Sequence, residues 1–548
     1  MRTYWNYRLC IWVFLLCCGA WSCRSGEAGD AGYFAYNEST GIASLDPAFA
    51  KNQSIMWAVH QLYNTLVEVD SNLQLKPSLA TRWEILEGGT VYRFFLRTDV
   101  YFHNAPCFPG GKGRRMVASD VVYSLQRIMD PATASSGAWI FNDRVKKEGA
   151  FIALDDSTLE VHLQAPFPPI LGILSMQYCS VLPPEAVTYY GRELRSHPVG
   201  TGPFQFVALE EGQALLLKKN PSYFERDAAG RRLPYLRGIK ISFNDSKATE
   251  FLLFRQGKLH FINDIDASFK DEILTKKGVL RKNWEGRIRL NKHAYLNIEY
   301  LGILVDPENE LVKNSPLRLK AIRQALNYGF DRRKMMLYLR NSIGIPAESG
   351  FVPTGLPSFD SMTVRGYRYE PQKAKQLLAQ AGFPGGRGIP EIRLLTVPIY
   401  SELASYIARE WQEIGIPVKV EVVQKSFLLE QTAQSQALFF RGSWIADYPD
   451  AENYLSVFYG RNPAPPNYTR YANPAFDRLY EGALLQTNDS LRFELYRQMD
   501  RILLEDAPVI PLWYDEVIHL VQPFVKNFHP NSLNLLELRT VEINETEL

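Results

Sequence analysis

Cysteine is scarce in this 548-residue chain, with 6 in all, and Cys10, Cys17, Cys18 and Cys23 crowd into its first 23 residues. Only Cys107 and Cys179 remain in the body, which excludes a disulfide-dense scaffold. After that opening no stretch approaches 18 continuous apolar residues, so no later segment reads as a membrane-spanning helix. An excess of either charge is also missing. The 61 basic and 59 acidic residues leave a net charge of +2, which offers no electrostatic footprint for nucleic acid. The 8 histidines are scattered, with no HExxH and no paired CxxC, so nothing argues for a metal or a cofactor. There is no Gly-x-Ser-x-Gly elbow and no histidine beside a candidate nucleophile, so the chain does not read as an enzyme. The loop from Pro106 to Arg115 is rich in glycine and positive charge but lacks the spacing of a phosphate loop, and reads as a basic surface turn. No internal repeat or low-complexity tract appears.

What is present is a packed globular composition, 46% apolar and 13% aromatic. At ~150 residues per domain the length is too great for one core and suggests about three domains. At the start, Arg2 and Arg8 precede the apolar run Leu9–Trp21, which is too short to span a bilayer and suits the h-region of an export signal. Ser22 and Cys23 follow. The arrangement resembles a bacterial lipoprotein signal, in which residues 1–23 end at the acylated cysteine. Ordinary secretion without a lipid is the other reading. Residues 24–32 are small and polar, as a tether requires. Cys107 and Cys179 then leave two readings, a disulfide or two buried free thiols.

The body alternates strand and helix patterns. Gln53–Leu66 places Ile55, Val59, Leu62, Tyr63 and Leu66 on one helical face. Ser119 reads as the cap of a helix with Val121, Val122, Leu125, Ile128 and Met129 inward. In the second half, Ile392–Val397, Ser401–Ile414 and Ile416–Val423 form a βαβ unit. The next strand reads as Ala437–Phe440, with Arg441, Trp444 and Asp447 at or beyond its carboxyl end, where α/β sheets bind ligands. A cation, an aromatic wall and an anion within seven residues would suit a ligand carrying both an ammonium and a carboxylate.

Several blocks together resemble the extracellular solute-binding family 5, the oligopeptide- and dipeptide-binding proteins of ATP-driven importers. They include "LATRWEI", "ASDVVYSLQRIMDP", "HPVGTGPFQF", "LRLKAIRQALNYGFDRRKM", "SWIADYPDAENYL" and "APVIPLWYDE", in the family's order. The resemblance implies an α/β, two-lobed, type II periplasmic-binding-protein fold in its large three-domain form, with two hinge crossings. Lobe I would take residues 24–64, 185–285 and 508–548, an additional domain 65–184, and lobe II 286–507. It also implies a site. Asp447 would pair with a peptide α-amino group and Arg441 would receive a carboxylate. Trp444, Trp139, Gln53 and Tyr514 complete the expected ligand contacts. Two positions depart from the pattern: Gly137 stands where peptide binders carry an aromatic, and Thr432 where some carry a second arginine. The implied function is a monomeric, lipid-anchored periplasmic receptor that delivers oligopeptides to an inner-membrane ABC permease, with no nucleic-acid partner. Carriage of a non-peptide solute (a nickel complex, a sugar or haem) and peptide sensing without transport remain alternatives.

Overall fold

The computed structural model describes residues 32–544, so the Cys23 expectation lies outside the described residues. Among those residues no helix is long and apolar enough to cross a membrane.

Two separate sheets build the first part of the molecule. Tyr33–Asn37 runs parallel to Gly238–Ser242, which pairs antiparallel with Ala214–Lys219 and then Phe204–Glu210. A second four-stranded antiparallel sheet takes Ala80–Leu86, Val91–Leu96, Thr158–His162 and Phe151–Asp155. Both sheets face one apolar cluster, in which Phe34, Trp57, Phe94, Leu125 and Ile239 are all buried. That shared core makes the first lobe and its additional domain one packed body. The helix Gln53–Leu62 is shorter than its apolar pattern, because Tyr63 adopts an extended backbone at its end while still burying its ring. Ser119 does not cap Ala118–Met129. Val117 occupies that position, and the Asp120 carboxylate accepts its N–H at 2.9 Å. The apolar face is narrower than expected, with Val121, Leu125 and Ile128 buried but Met129 exposed.

A seven-stranded mixed sheet carries the rest. Its centre is the long pair Arg289–Ile303 and Val509–Val521. This ladder runs regularly from 289 to 294 and again from 300, with a break between Ala294 and Ile298 and a further irregularity between Glu299 and Tyr300. On one side of the break Ile288, Ile518 and Leu520 pack with Phe251 and Trp284. On the other, Ile298 and Tyr514 pack with Tyr454 and Met499. The crossings expected near 285 and 507 lie outside this break. Val509, Ile510, Leu512 and Tyr514, assigned by that reading to lobe I, pack with Tyr454, Met499 and Trp411, and the core changes only farther along the strand, at Ile518 and Leu520. The βαβ unit forms, with Ile392–Thr396 parallel to Val418–Val422 around the helix Ser401–Glu413.

The strand expected at 437–440 is longer and later. It spans Phe439–Ile445 and pairs antiparallel with Arg289–Ile303, Trp444 opposite Ile298 and Arg441 opposite Leu301. Arg441 and Trp444 therefore lie inside the strand, three residues apart. Alternation sends their side chains to opposite faces, so the proposed trio cannot converge.

The two thiols are free, not paired. Cys179 is buried, its Sγ donating to the Ile173 carbonyl at 3.4 Å, and burial raises its pKa. Cys107 lies near the Arg114–Glu185 pair instead, where partial burial raises its pKa.

Candidate functional site

A cavity of about 820 Å³ lies between the first lobe and the second, near the upper end of the usual range for ligand sites. Its walls come from 50–76, the additional domain's 136–139 and 175–180, the strand residues Tyr295 and Leu296, the turn 445–449, and the C-terminal stretch 529–540.

Asp447 opens onto this cavity, two residues past the end of the Phe439–Ile445 strand. The residue is exposed toward the cavity, and partial desolvation by the surrounding walls raises its carboxyl pKa; an Asn453 hydrogen bond and the charge of Arg144 partly offset the rise. Asn453 Nδ2 donates to Asp447 Oδ2 at 3.4 Å, and Asn453 Oδ1 accepts the Asp447 N–H at 3.4 Å. Among the described residues no cation pairs directly with Asp447. A partly desolvated carboxylate without a cationic partner is an arrangement suited to a cationic group from outside.

The wall beside Asp447 is aromatic, but not through Trp444. Trp139 lines the cavity at 39% exposure, on the 3₁₀ turn Ala138–Phe141. Tyr178 lines it too, and its hydroxyl pKa is raised by burial and by the nearby negative charge of Asp447. Gly137 explains how Tyr178 fits. A Cβ at 137 would lie 2.4 Å from Tyr178 Cδ1, so the ring occupies the space that any side chain at 137 would need. The missing aromatic at 137 is thus answered from a different turn, Gln177–Cys179. Sequence reasoning missed Tyr178; the glycine at 137 was the signal.

Gln53 lines the cavity from the start of its helix, its Oε1 accepting from Asn263 Nδ2 at 3.0 Å. Three expected contacts lie elsewhere. Trp444 packs into the second lobe and its Nε1 donates to Asn453 Oδ1 at 2.9 Å, so it steadies the residue that holds Asp447. Arg441 is closed by Glu299 at 2.5 Å, and its guanidinium lies 4.0 Å over the Tyr400 ring. Tyr514 is fully buried, its hydroxyl donating to the Gly350 carbonyl at 2.7 Å. Thr432 is likewise buried, bonding back to the Leu428 carbonyl at 3.0 Å.

Ion pairs line the cavity beside the C-terminal stretch. Arg539, almost wholly buried, meets Glu68 at 2.7 Å and both Glu225 and Glu537 at 3.0 Å. Lys76 reaches Glu68 at 3.1 Å and His60 reaches Glu537 at 3.2 Å. The Arg539 guanidinium, with His60, holds the Glu537 carboxyl far below its usual range despite burial. These charges satisfy one another. No group of three or more His, Cys, Asp or Glu among the described residues is arranged to hold a metal ion.

The family model of bacterial extracellular solute-binding proteins, family 5 Middle, matches residues 74–465. The chain belongs to that family. Solute-binding proteins of this family serve ABC importers from the periplasm and are not enzymes, and the fold is their mixed α/β, type II periplasmic-binding form. Heme-binding protein A of Haemophilus influenzae is 29% identical over 90% of this chain and 89% of its own length. The dipeptide-binding protein of Escherichia coli is 24% identical over 88% and 89%. Among solved structures, the periplasmic binding protein DppA of Helicobacter pylori, in complex with the peptide STSA, superposes with a TM-score of 0.71 and 25% identity over 94% of this chain and 98% of its own.

Proposed function

We propose that this family 5 protein binds short peptides by their free amino terminus and passes them to an inner-membrane ABC permease, as a monomer tethered through a lipid on Cys23. The observation that carries the reading is Asp447: a carboxylate facing a cavity that Tyr178 and Trp139 also line, with no cation paired to it among the described residues. An ammonium placed there would gain an ion pair, and the nearby Tyr178 ring would add a cation–π contribution of ~0.5–2 kcal/mol. Peptide-binding relatives support the peptide class. Closure of two lobes about the break at Ala294–Ile298 would bury the ligand.

Arg441 cannot receive the ligand's carboxylate while Glu299 holds it. Recognition is then anchored at the amino end, with Lys51 and His529 at the cavity margin available to a carboxylate. A cavity that reads only the cationic end also admits a non-peptide amine, and this is the second reading.

Isothermal titration with trialanine and N-acetyl-trialanine tests both. Asp447→Ala is expected to weaken trialanine by two to four decades, from the ~3–5 kcal/mol cost of leaving a buried charge unpaired. Asp447→Asn should keep part of the affinity. Equal binding of the acetylated and free peptides by the wild type would refute amino-terminal recognition. Palmitate labelling that survives Cys23→Ala would refute the anchor.

A further inference from the structure

Arg144 stands in the additional domain, just after the turn that carries Trp139, and reaches across to the second lobe. Its Nη1 donates to the Ile140 carbonyl at 3.0 Å, which fixes the side chain on its own side. The guanidinium lies 4.8 Å from the Phe167 ring centre and 5.8 Å from that of Tyr448. Phe167 belongs to the additional domain, whereas Tyr448 is the residue next to Asp447. No carboxylate among the described residues forms a direct salt bridge with Arg144. Its charge instead acts through space on Asp447, Tyr448, Glu452 and Tyr480, all of the second lobe. Glu452 is buried and accepts from the Tyr448 and Tyr480 hydroxyls, and the positive charge of Arg144 opposes the rise that burial imposes on its carboxyl pKa.

The surrounding contacts are of one kind. Tyr448 is 1% exposed and packs within the apolar cluster of the first lobe and its additional domain, although its chain neighbours belong to the second lobe. A Cβ at Gly172 would sit 3.4 Å from Pro449 Cδ and 3.6 Å from Tyr448 Cβ, so the turn rests directly on the glycine backbone. Tyr448 and Pro449 are thus a plug from one lobe seated in the other, and Arg144 is wedged between the plug and its socket.

We infer that Arg144 is a positioning residue: its guanidinium, held between the Phe167 and Tyr448 rings, seats the Tyr448–Pro449 plug and so fixes Asp447 at the cavity wall. Closure and presentation of the ligand-binding carboxylate are one event, because the plug and the carboxylate are adjacent residues. The seating does not depend on which solute is carried; only the consequence for ligand rests on the amino-terminal reading above.

The test uses the full mature chain. Hydrogen exchange should show residues 446–452 of Arg144→Ala losing protection, while protection in the Ile392–Thr396 and Phe204–Glu210 strands stays at the wild-type level. Small-angle scattering should show a larger radius of gyration for the same variant. Arg144→Lys, which keeps the charge but not the flat guanidinium, should recover part of both. Gly172→Val should loosen the same segment from the other side with Arg144 intact. With trialanine as the probe, Arg144→Ala should lose about 3- to 30-fold in affinity, the span of a desolvated cation–π contact, and should discriminate less between the free and N-acetylated peptide. Unchanged exchange at 446–452 together with an unchanged radius would overturn the inference. So would loss of protection throughout the chain in Arg144→Ala and Arg144→Lys alike, since that marks a general folding role. If wild type fails to bind trialanine, the peptide reading falls, while the exchange and scattering results still decide Arg144.

Discussion

Replacing Arg441 by alanine separates a structural cation from a ligand-binding one. In the structure the Arg441 side chain is 14% exposed and its partner Glu299 4%. The variant leaves Glu299 buried without a cation, a change that costs ~3–5 kcal/mol in comparable cases. Two donors remain, Tyr400 Oη at 3.1 Å and Asn297 Nδ2 at 3.3 Å, which favours the lower part of that range. Burial already raises the Glu299 pKa in the wild type, opposed mainly by Arg441. Without Arg441 the folded pKa rises further above the unfolded value. A carboxyl with a raised folded pKa costs nothing below its unfolded pKa of ~4.3 and then loses ~1.4 kcal/mol of stability per pH unit until the folded pKa is passed. Arg441→Ala should therefore be nearly as stable as wild type at pH 4.5 and clearly less stable at pH 8. At ~2–4 °C per kcal/mol for a unit of ~200 residues, the melting temperature at pH 8 should fall by ~6–20 °C. Adding Glu299→Gln removes the buried charge and should restore most of the loss. Calorimetry of the wild type, the single variant and the double variant at both pH values measures this. A variant as stable as wild type at pH 8 that no longer binds trialanine would refute the assignment and return Arg441 to the ligand.

Three other outcomes follow from single contacts. Gly137→Ala forces a Cβ to within 2.4 Å of the Tyr178 ring, so the ring must move; trialanine affinity should drop by titration, and the fluorescence of Trp139 should change. Thiol titration of the mature native protein should find Cys179 unreactive until denaturant is added, and peptide mapping under non-reducing conditions should find no 107–179 crosslink, because the two thiols are free and Cys179 is buried. Asp500, fully enclosed, accepts the N–H groups of Phe351 and Val352 at 2.6 and 3.3 Å, and desolvation brings its pKa up to about 7. Its unfolded value is ~3.9, so it withdraws stability as pH rises from ~4 to about 7. Asp500→Asn should flatten the pH dependence of the melting temperature in that window, and an unchanged slope would remove Asp500 from the account.

The fold was largely legible because its signals are local. Asp331 caps its helix, with Lys334 N–H on the carboxylate at 3.0 Å, as a residue of that type before an amphipathic run should. The βαβ unit follows from apolar period alone. The place of Asp447 at the cavity, two residues beyond a strand end, agrees with the resemblance and needs only the local chain. Trp444, Arg441 and Tyr514 were misplaced for a different reason. Whether a strand residue faces a cleft or a core depends on where the strand begins, and shifting the strand from 437–440 to Phe439–Ile445 moves Arg441 and Trp444 from a shared strand end onto alternate faces. Nor does any local signal say that Glu299, 142 residues away in sequence, stands beside Arg441. The same limit applies to Tyr178, whose ring enters the site only because Gly137 leaves room. A free cation and a neutralised one look identical in sequence; the partner, brought in by the sheet, decides whether the charge belongs to the ligand or to the fold.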